Sequence, residues 1–132
     1  MIGLPSWVQA LSVIATITTA LFAAIIAHRQ SQTARRKLKL DLFDKRFQVF
    51  LDFRRIVSES TQLGKLTNPG LPNEVIARAR FLFGSDVVAL CGKLHECTVA
   101  MTIGDLSAGS RINDLFERAI PVFEGYMRMD DR

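Results

Sequence analysis

The chain has 132 residues, of which 48% are hydrophobic, and a formal net charge of +4. That is enough for one domain with an apolar core, and it excludes a disordered tail protein. The charge is unevenly placed: residues 1–27 carry none, residues 28–55 carry nine Lys or Arg against three Asp, and residues 56–132 carry eight against ten acids. An apolar end, a basic block and a nearly balanced remainder form the layout of an anchored protein and say nothing of chemistry.

Trp7 to Ala27 is a charge-free run of 21 residues, which as a helix crosses a hydrocarbon core about 30 Å thick. Pro5 precedes it, Ser6 and Gln9 have the spacing of a capping box, and Trp7 suits the aromatic belt at a membrane surface. The positive charges follow the apolar stretch, beginning at Arg29, so the pattern is that of an uncleaved anchor rather than a signal peptide. Arg29, Arg35, Arg36, Lys37 and Lys39 crowd this flank with no acid before Asp41. The positive-inside rule places the flank in the cytoplasm and the N-terminus outside, and anionic lipid headgroups are the expected contact of these five residues. Within the span, Gln9, Ser12, Thr16, Thr19 and Ala23 step by three and four along one helical face. Thr16, Ala20 and Ala24 add small residues at intervals of four, so this face is a candidate for association with another helix. The alternative is that the hydroxyls bond back to their own helix.

No Pro or Gly interrupts residues 27–59, which predicts a long helix leaving the membrane. It carries two apolar stripes. Leu40, Phe43, Phe47, Phe50 and Val57, with Arg54 interposed, follow a heptad seam; Leu38, Leu42, Val49, Phe53 and Ile56 form the second. Two stripes require cover on more than one side, from the same chain or from a neighbour. Gly64 and Asn68-Pro69-Gly70 mark a loop, and Pro72 suits the first turn of a short helix over Asn73–Phe83. Gly84 is placed to end it and Ser85 or Asp86 to cap the next, whose stripe is Val87, Leu90, Cys91, Leu94, Thr98 and Met101. Asp86, Lys93, His95 and Glu96 exclude it as a second span. After a loop over Gly104–Ser110, Ile112, Leu115, Phe116, Ala119, Ile120, Phe123 and Met127 define a last helix, which Pro121 should kink or interrupt. Eight of the nine Phe lie outside the span; Phe43, Phe47, Phe50 and Phe53 are read as packing or partner surface, with a Phe-rich core favoured over an exposed groove. Sustained period-two alternation is absent, so no sheet is expected. The fold expectation is all-α: a transmembrane helix over residues 1–28, a basic juxtamembrane segment over 29–40, and a cytoplasmic domain over 41–132 in which the long helix packs with about three more.

The run ARRKLKLDLFDKRFQVF at residues 34–50, after a charge-free N-terminal helix and followed by FLFG at 81–84, resembles a loose group of small uncharacterised bacterial single-pass inner-membrane proteins. The resemblance covers residues 6–90. It implies location and topology, and carries no activity or catalytic residues.

Motifs for phosphate loops, nucleophile elbows and zinc peptidases are absent. Cys91 and His95 share a helical face, but two ligands do not make a structural zinc site, which takes about four, unless a homodimer doubles them. Asp41, Asp44 and Asp52 lie among Lys and Arg and are read as intrahelical pairs such as Asp41 with Lys45. No cofactor, metal or small-molecule substrate is indicated. Nucleic acid is disfavoured because the basic block abuts the membrane and the rest is slightly acidic. The functional expectation is a non-catalytic, membrane-tethered adaptor or accessory subunit with membrane lipids and either a protein partner or its own copies as contacts. The alternative is a homo-oligomeric membrane-permeabilising effector of toxin or stress type. An enzyme completed by another subunit ranks third.

Overall fold

The computed structural model describes residues 3–128, and among them the chain is all-helical. It holds α1 (Ser6–Leu63), α2 (Leu71–Leu82), α3 (Ser85–Thr102) and α4 (Ala108–Met127). Two compact units are present, Met1–Lys39 and Leu40–Arg132.

The first unit is the N-terminal part of α1. Its helix starts where Pro5 stops the chain from extending it backwards, and the Pro5 carbonyl accepts bonds from Val8 N–H at 3.0 Å and Gln9 N–H at 3.3 Å. The capping box expected of Ser6 and Gln9 does not form: Ser6 is already helical, and the Pro5 carbonyl takes the first-turn donors instead. From Trp7 to Ile26 the large apolar side chains are exposed except Val8, which is half-buried. This is one helix long and apolar enough to cross a membrane.

The second unit is a bundle of the Leu40–Leu63 part of α1 with α2, α3 and α4. α1 buries Val49, Phe53, Ile56, Val57 and Ser60, spacings of four, three, one and three that draw one stripe down a helix. The second sequence stripe therefore supplies the core from Val49 onward. Leu38 and Leu42, which belong to the same stripe, stay exposed. α2 contributes Leu71, Pro72, Val75 and Ala79. It begins two residues before the expected Asn73, because Pro72 fits the first turn without an N–H to satisfy. α3 adds Val87, Cys91, Leu94 and Thr98, and α4 adds Ala108, Ile112, Leu115, Ala119 and Phe123.

The helix ends show which local signals operate. α3 closes in a Schellman motif: Gly104, at φ 90°, donates to the Met101 carbonyl at 3.1 Å, and Asp105 N–H reaches the Ala100 carbonyl at 3.1 Å. A left-handed residue is needed there, and glycine adopts that conformation without strain. At the other end of α3 the N-cap is Gly84, not Ser85 or Asp86 as the sequence implied. Pro121 does not end α4, which runs on to Met127. Its ring is exposed, so the one backbone donor it removes lies on the solvent side of the helix.

Candidate functional site

On the first unit, the polar face predicted for association is present but chemically quiet. Thr16 Oγ1 donates to the Ser12 carbonyl, Thr18 to Ile14 and Thr19 to Ala15, each at 2.8 Å. These hydroxyl protons are engaged within the helix, leaving small groups on its surface. Ser12, Ala15, Thr16, Thr19, Ala20 and Ala23 line a shallow trough, whereas Gln9 lies beyond its end. Below it, Arg29 and Lys37 flank a second shallow trough with Ile26 and Ala34, while Arg35, Arg36 and Lys39 are exposed elsewhere on the helix.

In the second unit the four predicted phenylalanines part company. Phe53 is fully buried and Phe50 half-buried, whereas Phe47 is 39% exposed and stacks flat on Phe43 with ring centroids 6.0 Å apart. Phe81 is 89% exposed. The Phe-rich core thus holds for Phe50, Phe53, Phe83, Phe116 and Phe123 but not for Phe43, Phe47 or Phe81. Phe123 is the hub: Phe50, Phe53 and Phe83 meet it edge-on at 5.2, 5.4 and 5.3 Å, so one α4 ring ties together α1 and the α2–α3 junction. From Phe50 the stack continues outward to Phe47, at 6.3 Å, and then to Phe43. Leu40, 53% exposed, continues the same seam one turn further along α1.

A polar clamp closes the same end of the bundle. Arg46 Nε donates to the Leu82 carbonyl at 2.9 Å and its Nη1 to the Tyr126 carbonyl at 3.0 Å, while the guanidinium lies over the Phe83 and Tyr126 rings at 5.7 and 5.6 Å. A single cation on α1 therefore caps the C-terminal ends of α2 and α4, where the carbonyl ends of the helix dipoles favour positive charge. Tyr126 in turn donates its hydroxyl proton to Asp86 Oδ1 at 2.7 Å and accepts from Gly84 N–H at 3.1 Å. That donated bond holds the phenol above its ordinary pKa. A Cβ on Gly84 would collide with the Tyr126 hydroxyl, so glycine is required by close approach rather than by backbone angle. Nothing local marks Arg46, one of the basic residues between Asp41 and Asp52, as a cap for carbonyls 36 and 80 residues away.

The carboxylates also depart from expectation. Asp52 pairs with Arg78 of α2, and the predicted Asp41–Lys45 pair does not form among the described residues. The i, i+4 pair present on α1 is Arg55 with Glu59, whose other oxygen accepts from Thr67 N–H at 3.4 Å. Cys91 is buried, and burial pushes its thiol up to about 12, which leaves it a packing group rather than a nucleophile. Among the described residues no cluster of three or more His, Cys, Asp or Glu is placed to hold a metal.

A cleft of about 310 Å³ lies at the loop joining α1 to α2, between Lys65, Leu66 and Pro69 and the C-terminal half of α3 with His95, Val99 and Met101. Nδ1 of His95 is buried without a partner among the described residues, as is Oγ of Ser60. No protein-family model, curated protein or solved structure matches the chain.

Proposed function

We propose that the chain is a single-pass protein of a bacterial inner membrane, N-terminus outside and bundle in the cytoplasm, acting as a membrane-tethered adaptor or accessory subunit without chemistry of its own. The observation that supports it is the aromatic seam of Leu40, Phe43 and Phe47. It leads from the core rings through half-buried Phe43 to exposed Phe47 and Leu40, and exposed apolar side chains next to a core favour a protein partner. Arg29, Arg35, Arg36, Lys37 and Lys39 serve orientation and contact with anionic headgroups in this reading. The test is recovery of partners from native membranes by the tagged full-length chain and by a Phe43→Ala, Phe47→Ala variant. A stoichiometric partner lost in the variant supports the reading. Recovery that ignores both rings, or no partner at all, counts against it. Topology is checked by alkaline phosphatase fused after Arg132, inactive if the C-terminus is cytoplasmic.

A second reading, homo-oligomeric permeabilisation of the membrane, draws support from the small-residue trough of Ser12, Thr16 and Thr19, which allows close helix approach. It ranks below the first because those Thr hydroxyl protons are committed to helix carbonyls instead of lining a polar path. It requires that overexpression depolarise cells and that Leu at Gln9, Ser12, Thr16 and Thr19 abolish the effect.

A further inference from the structure

We infer that the cleft between the α1–α2 loop and α3 is a binding site for a small carboxylate with an apolar body. Its floor and walls are Leu66, Pro69, Val99 and Met101, side chains with no polar group to satisfy, and its volume of about 310 Å³ falls at the lower end of the range for ligand pockets. The polar side chains lining it are Lys65, His95, Thr98 and Thr102. Thr98 Oγ1 donates to the His95 carbonyl at 2.7 Å and Thr102 Oγ1 to the Thr98 carbonyl at 2.9 Å, so both hydroxyl protons are committed within α3. Lys65 is exposed and forms no ion pair among the described residues. His95 is half-buried with Nδ1 shielded and unpartnered. An orphaned ring N–H is costlier in a dry site than an orphaned lone pair, so the proton of the neutral ring belongs on Nε2. Lys65 is the one permanently charged side chain lining the cleft, with the His95 ring as a further donor. A cation beside an apolar wall matches an anionic head on a hydrophobic body, and a carboxylate supplies the charge that an alcohol or an amine does not. Met101 adds a polarisable thioether that suits an aromatic body.

The chain has two histidines, which makes the test direct. His28 lies on the first unit, within 3.2 Å of Gln32, and serves as the internal control. Full-length protein carrying labelled histidine, held in detergent micelles near neutral pH, is titrated with phenylacetate while both imidazole resonances are followed. Expected is a saturable shift of the His95 signal with His28 unmoved. Acetate, which has the head without the body, and phenethyl alcohol, which has the body without the charge, should each fail to saturate over the same range. Lys65→Gln, a change on an exposed loop that leaves the core untouched, should weaken phenylacetate about tenfold, the effect of losing one charge-assisted bond. The inference is overturned if His95 does not respond, if both histidines drift together, if either control binds as well as phenylacetate, or if Lys65→Gln binds like the parent chain.

Discussion

Replacing Arg46 with Met keeps an unbranched apolar side chain but removes both the guanidinium over the Phe83 and Tyr126 rings and the fork that reaches the Leu82 and Tyr126 carbonyls. A bond from a charged donor contributes about 1.5–3 kcal/mol, and the site is only part-buried, so the lower figure applies to each of the two. The lost stacking of the guanidinium on two rings adds about 0.5–1 kcal/mol. The expected loss is about 3.5–4 kcal/mol, a large share of the roughly 5–15 kcal/mol that holds a domain together. Arg46→Lys retains a cation at the two helix ends but has no planar fork, and should lose about half as much. The assay is urea unfolding of the full-length chain in micelles. It is followed by the near-ultraviolet signal of Tyr126, the single tyrosine of the chain, whose ring carries the guanidinium at 5.6 Å. A loss below about 1 kcal/mol for Arg46→Met, or no difference between Arg46→Lys and the parent, would refute the two-carbonyl clamp.

Gly84→Ala forces its new methyl against the Tyr126 hydroxyl and should destabilise the bundle by about 1–3 kcal/mol. Adding Tyr126→Phe removes the clashing oxygen, so a double-mutant cycle should show less than additive loss. Phe53→Ala, at a fully buried ring, should cost about 3–5 kcal/mol in the same unfolding assay, whereas Phe81→Ala, at a ring 89% exposed, should change stability by less than about 0.5 kcal/mol. Thiol labelling at pH 8 should modify half-buried Cys97 in the folded chain and reach buried Cys91 only after unfolding. Because the folded Cys91 thiol is raised from 9.0 to about 12, the unfolded chain loses that proton first. Its contribution to stability is then complete below pH 9.0 and declines as pH rises toward 12.

Helices, their order and the apolar N-terminal segment were legible in the chain because their causes are local. Pro5, Gly64, Pro72 and Gly104 punctuate, the three-and-four spacing of Val87, Cys91, Leu94 and Thr98 draws a face, and an uncharged run of 21 residues is read from composition. The candidate site was less legible. Both stripes of α1 had the right period, and periodicity carries no information about which stripe another helix will cover. Packing decided it by seating Val49, Phe53 and Ile56 among α2, α3 and α4 and leaving Phe43 and Phe47 outside. The same limit applies to single polar residues. An arginine among charges on a helix looks like a partner for its neighbours at i+4, and nothing near Arg46 or Asp52 reveals that the acceptor or cation lies on α2 or α4. Lys65 and His95 are 30 residues apart in sequence and gain a shared cleft only when the α1–α2 loop folds beside α3. The sequence by itself determined where the chain is apolar, where it is basic and in what order its helices follow, since each depends on residues within a turn or two. Burial, capping across helices and the pairing of distant donors were decided by the tertiary structure, because those depend on which surfaces meet.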